Sequence, residues 1–242
     1  MLRQLILALR SSVFYLGYVL ITVMLSTSFI LLFPLLKPSG RHRIAAAWCR
    51  SILSWLKLSC GISYRVEGAE HLNRSPAVYL ANHQSRFEAI LFYQLIYSVS
   101  PILKRELLLI PFWGWALRLL KPVAIDRSKP REAARSLMAQ GEAMLKEGNS
   151  IIIFPEGSRS EPGVVGRFSR GGTALAAAAK APIVPIVHNS GYAWPSHRFI
   201  KFPGVVSIKV GDPISVTDRS VKNLTDEVEQ WVRAHFQVID SR

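Results

Sequence analysis

An α/β fold is predicted, layered around a mostly parallel sheet and preceded by a membrane-associated helix pair. Three observations predict it. After Gly61, short apolar runs of strand length alternate with longer amphipathic stretches. The polar residues of interest fall just after those runs, where open α/β sheets place their ligands. From Val13 to Leu36 the chain carries 24 residues without a charge.

The uncharged run is long enough for a helix to cross hydrocarbon, which takes roughly 20 apolar residues. A signal peptide has a shorter apolar core and a small-residue cleavage site, so this run is read as retained. Arg3 and Arg10 precede it, and Lys37, Arg41 and Arg43 follow. Positive charge on both sides leaves its orientation open. A second stretch, Arg41 to Cys60, places Ile44, Trp48, Ile52, Trp55, Leu56 and Leu58 among Arg43, Arg50 and Lys57. That spacing suits an amphipathic helix at the interface; the two segments could instead form a hairpin that dips into one leaflet. Residues 1–60 are therefore assigned to membrane anchoring and 61–242 to the α/β domain.

Within the domain, strands are expected over 62–66, 77–81, 122–125, 151–154, 183–187 and 205–210, with one more starting at 102. Helices are expected over 89–97, 131–147, 173–181 and 220–239. The last carries Val221, Leu224, Val228, Trp231, Val232 and Phe236 at helical spacing. Pro182 to Val187 contains two prolines and reads as an edge strand.

Lys and Arg number 30 against 16 Asp and Glu, a net charge of +14. Such an excess attracts nucleic acid, anionic head groups or acidic proteins alike. Most tryptophans sit in apolar stretches rather than among basic residues, and no zinc finger, RNA-binding signature or long basic run is present, so nucleic acid is not expected as a partner. Cys49 and Cys60 form no metal or redox spacing and read as small buried hydrophobes. Neither a metal site nor a cofactor is expected.

Three segments carry chemistry. The first is His83 with Glu88. Imidazole is the natural general base near neutral pH, and a carboxylate on its other nitrogen fixes the tautomer. Residues five apart on a regular helix lie about 140° apart. The pair therefore meets only if His83 precedes a helix and Glu88 sits in its first turn. Ser85-x-x-Glu88 also matches a capping box with Ser85 as N-cap, so Glu88 reads equally as a cap. The second segment is Ile151 to Ser160, in which a buried strand delivers Glu156, Gly157, Ser158 and Arg159. Arg159 could grip a phosphate bidentately, with Glu156 orienting it or contacting substrate; the plain alternative is a tight turn. The third is Ile125-Asp126-Arg127, another arginine just past an apolar run. Gly171-Gly172-Thr173 opens an Ala-rich helix and reads as an anion site or a simple helix start. There is no Gly-x-Ser-x-Gly nucleophile elbow. Lys104, in ILKRELLLIPFWGW, is a candidate oxyanion donor.

Asn82-His83-x-Ser85-x-x-Glu88, then Ile-Asp-Arg, then Phe-Pro-Glu-Gly-Ser-Arg-Ser, then Val-Pro-Ile-Val, in this order, resemble the glycerolipid acyltransferase family over roughly residues 62 to 215. Within it the chain is most similar to bacterial 1-acyl-sn-glycerol-3-phosphate acyltransferases. The resemblance implies a membrane enzyme that moves a fatty acyl group from acyl-carrier protein or acyl-CoA to the hydroxyl of lysophosphatidic acid, giving phosphatidic acid. It implies His83 as general base, Glu88 as its partner, and Arg127, Glu156 and Arg159 as the phosphate and acceptor site. It further implies an inner-membrane location with the site facing the cytoplasm. Two positions depart from the pattern: Glu88 stands where the family usually has Asp, and Ala124 where a Phe usually precedes Ile-Asp-Arg. Another lysolipid, such as lyso-ornithine lipid, is the alternative acceptor. A non-catalytic protein that binds anionic lipid is the alternative from another class, and an intact His83–Glu88 pair argues against it.

Overall fold

Four-residue runs such as Val78–Ala81 and Ser150–Ile153 are buried on both faces, which only the middle of a sheet covered by helices allows. The computed structural model, which describes residues 1–74, 76–126 and 128–240, builds that sheet from seven strands. They are β1 (Ile62–Glu67), β2 (Val78–Ala81), β3 (Val99–Lys104), β4 (Val123–Ile125), β5 (Ser150–Ile153), β6 (Ile183–His188) and β7 (Gly204–Val210). Their order is β1-β7-β6-β2-β5-β3-β4. Every pairing is parallel except β6 with β7. The carboxyl ends of β2, β3, β4, β5 and β6 therefore share one edge.

The helices are α1 (Leu2–Leu32), α2 (Pro38–Cys60), α3 (Phe87–Leu95), α4 (Trp113–Leu119), α5 (Pro130–Lys146), α6 (Gly171–Ala179) and α7 (Val221–Asp240). Alternation along the strands splits the core. Tyr79, Ala81, Ile152, Val184 and Ile186 meet α2 and α3 on one face. Val78, Leu80, Ile151, Ile153 and Ile183 meet α6 and α7 on the other. Gly172 lets α6 lie close on the sheet, since a Cβ there would stand 2.6 Å from a Leu80 methyl. That packing explains the glycine at this helix start.

The expected elements are present, most within two residues of the expected bounds. Three differences stand against the expectation. β3 begins at Val99, earlier than expected, and the short helix α4 lies in the ILKRELLLIPFWGW region, where no helix was expected. The segment at Pro182–Val187 is not an edge strand: β6 lies between β2 and β7. Pro185 is tolerated there because its carbonyl faces the end of β7, accepting from Gly211 N at 2.9 Å. Its missing N–H faces the same way, past the residues where the β6–β7 ladder runs.

The N-terminal helices pair antiparallel. Arg10 Nε donates to Ser59 O at 2.7 Å, Trp55 Nε1 to Phe14 O at 3.1 Å and Trp48 Nε1 to Thr22 Oγ1 at 3.2 Å. Gly17 makes the approach possible, because a Cβ there would fall 2.1 Å from the Trp55 ring. Gly61 ends α2 at φ 70, the left-handed cap for which glycine is suited. The pair is continuous with the body: Phe14, Ile52 and Leu56 share one buried cluster with Tyr79 and Trp194. Lys201, 1% exposed, donates its Nζ to Tyr15 Oη and its backbone N–H to Ser11 Oγ, both at 2.8 Å, binding α1 to the loop before β7. Cys49 and Cys60 are buried free thiols, as expected.

Candidate active site

β2 delivers the segment Asn82–Arg86 to the shared edge, and α3 starts immediately after it. Asn82 fastens this segment to the end of β6. Its Nδ2 donates to His188 O at 2.9 Å and its Oδ1 accepts from His188 N at 3.0 Å. The His188 ring completes the clasp, with Nε2 donating to Asn82 O at 2.7 Å.

His83 thus stands before the helix and Glu88 in its first turn, the one arrangement in which the two side chains can meet. His83 Nδ1 lies 2.8 Å from Glu88 Oε1. The same oxygen accepts from Gln84 N at 3.0 Å and from Ser85 N at 2.8 Å. Glu88 Oε2 accepts from Ser190 Oγ at 2.7 Å. Capping and orienting the histidine, which the sequence offers as alternatives, are therefore one interaction. The capping box is modified: α3 starts at Phe87 with Arg86 at its N-cap, and Ser85 Oγ accepts from Phe87 N at 3.0 Å rather than from Glu88 N.

Glu88 is fully buried, and burial alone would push its carboxyl up. The neighbouring imidazoles of His188 and His83 and the Ser85 amide outweigh burial and hold it at about 2, below its ordinary 4.5. Burial lowers the basicity of His188, against the pull of Glu88. An ionised carboxylate only accepts, so Nδ1 of His83 carries the hydrogen, and in the neutral ring the lone pair is then on Nε2. One face of the ring stacks on Phe154, centroids 4.3 Å apart and planes at 17°.

The loop after β5 grips the backbone of His83 from both sides. Glu156 Oε1 accepts from His83 N at 2.7 Å, and Ser160 N donates to His83 O at 2.7 Å. Glu156 Oε2 accepts from Gly166 N at 2.8 Å and from the Ser160 hydroxyl. The Glu156 carboxylate is thus occupied in holding the two loops together. Gly157 takes φ 76, and its N–H closes the turn onto Phe154 O. Arg159, half-buried, donates Nε to Ser85 O at 3.1 Å, which brings its guanidinium beside the start of α3. Gly157 and Ser158 are exposed on the same loop.

Lys104 is exposed at the end of β3, paired with Ile125 across β4. β5 separates β2 from β3, so Lys104 stands two strands from His83, about 10 Å along the sheet edge. Arg127 lies outside the described residues; β4 ends two residues before it, on the same edge. Among the described residues no group of three His, Cys, Asp or Glu side chains is placed to hold a metal ion. Ser190, His188 and Asn82 were not singled out as site residues. The only signal for Ser190 is its place just past an apolar strand, and nothing local links it to Glu88, 102 residues earlier.

The carboxylate network makes a test of stability against pH. The folded-state value for Glu88 is depressed, so its contribution is fully present above 4.5 and is lost as pH falls toward about 2. Urea unfolding of the full chain in detergent, at about pH 7 and about pH 3, is expected to show wild type ahead of Glu88→Gln at the higher pH and the gap clearly narrowed at the lower. Ser190→Ala, which leaves Oε2 without a donor, is expected to cost about 1–3 kcal/mol at the higher pH. A gap that does not change with pH would mean that Glu88 is not ionised in the fold.

A protein-family model described as "Acyltransferase" matches residues 63–189. The 1-acyl-sn-glycerol-3-phosphate acyltransferase of Pseudomonas aeruginosa is 40% identical over 229 residues, covering 93% of this chain and 89% of that protein. The mouse 1-acyl-sn-glycerol-3-phosphate acyltransferase alpha is 30% identical, covering 94% of this chain and 80% of its own. Among solved structures, the 1-acyl-sn-glycerophosphate (LPA) acyltransferase PlsC of Thermotoga maritima superposes with a TM-score of 0.81 at 26% identity, over 100% of this chain and 98% of that one. A match of this extent means that this chain belongs to the acyltransferase family.

Proposed function

We propose that the chain transfers a fatty acyl group from a thioester of acyl-carrier protein or coenzyme A to the free hydroxyl of 1-acyl-sn-glycerol-3-phosphate, forming phosphatidic acid. The observation that carries this is the buried Glu88 carboxylate on Nδ1 of His83, which presents Nε2 as a base. The substrates named for the Pseudomonas aeruginosa and mouse relatives supply the acceptor.

In this reading the acceptor hydroxyl lies against His83 Nε2. The histidine takes its proton as the oxygen attacks the thioester carbonyl carbon. The tetrahedral intermediate collapses by breaking the C–S bond, and the imidazolium returns the proton to the leaving sulfur. No acyl-enzyme is formed. Glu88 stabilises the imidazolium while it exists. Arg159, held beside α3 by Ser85 O, binds the acceptor phosphate together with Arg127. Glu156 acts through the His83 backbone and keeps the base in place. Gly157 and Ser158 shape the acceptor side of that loop, and Lys104 faces the donor carbonyl.

The helix α1 fits a membrane seat within one leaflet. The span Leu2–Leu35 is apolar enough to cross a bilayer, and only 17% of its most apolar window is buried. Yet Ser11 touches the body through Lys201, and Leu25 and Phe29 line a cavity with Trp113 and Leu117 of α4. From Ser11 to Phe29 is about 27 Å of helix, nearly the whole hydrocarbon thickness. A helix flanked by the body over that length cannot stand upright in lipid without drawing charged loops in with it. It lies along the membrane, with Leu9, Val13, Leu16, Leu20 and Met24 facing lipid. The active-site edge then faces the cytoplasm, where the acyl thioesters are found.

Glu88→Gln keeps the size of the side chain and removes its charge. It is expected to slow single-turnover transfer about 10²–10³-fold. His83→Ala is expected to be at least as slow, and the double variant little slower than His83→Ala. Arg159→Ala is expected to lose about 30- to 1000-fold in kcat/KM for the acceptor, with the donor KM little changed. Near-normal transfer by Glu88→Gln would remove Glu88 from the mechanism. An equal rise in both KM values for Arg159→Ala would remove Arg159 from the acceptor site. For the membrane seat, Lys37→Cys in sealed vesicles is expected to react with an impermeant maleimide added on the side that holds the catalytic body. Reaction only from the opposite side would mean that the helix pair spans the bilayer.

A further inference from the structure

We propose that the turn Leu109–Trp115, between β3 and β4, is a second lipid-inserting element. Its partner is an anionic bilayer surface beside α1. The inference rests on the reading above only in taking the bilayer as the partner.

This segment exposes apolar surface that nothing in the fold requires to be outside. Leu109 is 74% exposed and Trp115 51%, with Ile110 and Phe112 also exposed. Scattered exposed apolar residues are ordinary; a cluster of four within seven positions marks an interaction surface. The cluster is held out by a tight turn rather than a loose loop. Trp113 N donates to Pro111 O at 2.7 Å and Gly114 N to Ile110 O at 2.9 Å. A Cβ at Gly114 would stand 2.5 Å from Leu107 O. Phe112 takes φ 61, a conformation that a bulky residue adopts only when its surroundings force it. Its ring lies 5.6 Å from that of Trp115.

Two observations choose lipid as the occupant. The first is continuity with α1. Gly114 and Ala116 are buried on the other side of α4, whose Ala116, Leu117 and Leu120 line a cavity with Leu25 and Phe29 of α1. The exposed tip is therefore carried on a helix that packs beside the C-terminal half of α1. The second is charge. Lys104 and Arg105 precede the segment and Arg118 and Lys121 follow it, all exposed, with Glu106 the one acid between. An apolar tip carrying Trp and Phe between basic shoulders is the pattern of a group that enters the head-group layer of an anionic leaflet.

The test uses the full chain in vesicles of phosphatidylethanolamine and phosphatidylglycerol. Leu109→Cys carries a nitroxide label, and Gln230→Cys on α7, across the sheet, is the aqueous control; Cys49 and Cys60 are buried. The label at 109 is expected to collide more with oxygen than with a water-soluble nickel chelate, and the label at 230 the reverse. An aqueous pattern at 109 would overturn the proposal. The double variant Leu109→Glu, Trp115→Glu is a second measure. It is expected to unfold at the parent temperature and to acylate a monomeric short-chain lysolipid at the parent rate. Its rate with a vesicle-embedded acceptor is expected to fall about tenfold or more, roughly the effect of 1.4 kcal/mol. A parental rate on vesicles, or a loss confined to a higher KM for acyl-carrier protein, would also overturn it. The Lys37 labelling reports on the helix pair alone, and single-turnover rates report on His83, so failure here is distinguishable from failure there.

Discussion

Glu88 is a carboxylate with no access to water, and two oxygens must take all the hydrogen bonds that keep it charged. His83, Gln84, Ser85 and Ser190 each donate one. A buried anion without such donors would be protonated instead. The local fold follows from this requirement. The chain must turn sharply after β2 so that two successive amides point at Oε1, and α3 must begin at once so that Glu88 reaches back. β6 must end level with β2 so that Ser190 can reach Oε2. The Asn82–His188 clasp secures that last condition by tying the two strand ends through three hydrogen bonds.

The loop after β5 supplies the rest of the rigidity. Carboxylates at Glu88 and Glu156 flank His83, but they act on different parts of it. Glu88 takes the ring, and Glu156 takes the peptide N–H. The ring is fixed by its charge partner while the backbone is fixed by the neighbouring loop, so neither group has to do both. Parallel strands make this economical in sequence: β2 and β5 lie side by side and end together, which brings residues 73 positions apart into one hydrogen bond.

Much of this was legible in the sequence because it is local or periodic. Buried strands announce themselves as apolar runs, and α7 as a helical repeat. His83 and Glu88 are legible as a pair because the capping signal at Ser85 already places Glu88 in a first turn. The same signal misled in one respect, presenting cap and catalytic partner as rivals when one oxygen serves both. What could not be read depends on strand order. The two prolines suggested an edge for β6, whereas its neighbours are set by β7 folding back beside it. Ser190 and Asn82 gain their meaning only from that order. The helix α4 was hidden because its apolar residues face both the helix pair and the outside, leaving no periodicity to detect.

Side-chain nitrogen NMR reads directly whether Glu88 fixes the tautomer of His83. The full chain, labelled with nitrogen-15 at histidine and held in detergent micelles at about pH 8, where an ordinary imidazole is neutral, gives separate signals for the two ring nitrogens; His83→Gln identifies the His83 pair by its loss. A protonated Nδ1 and a bare Nε2 are expected for His83 in the wild type, and a mixture of the two tautomers in Glu88→Gln. A wild-type His83 with its hydrogen on Nε2 would rule out His83 as the base, because the nitrogen required to accept the proton would already carry one.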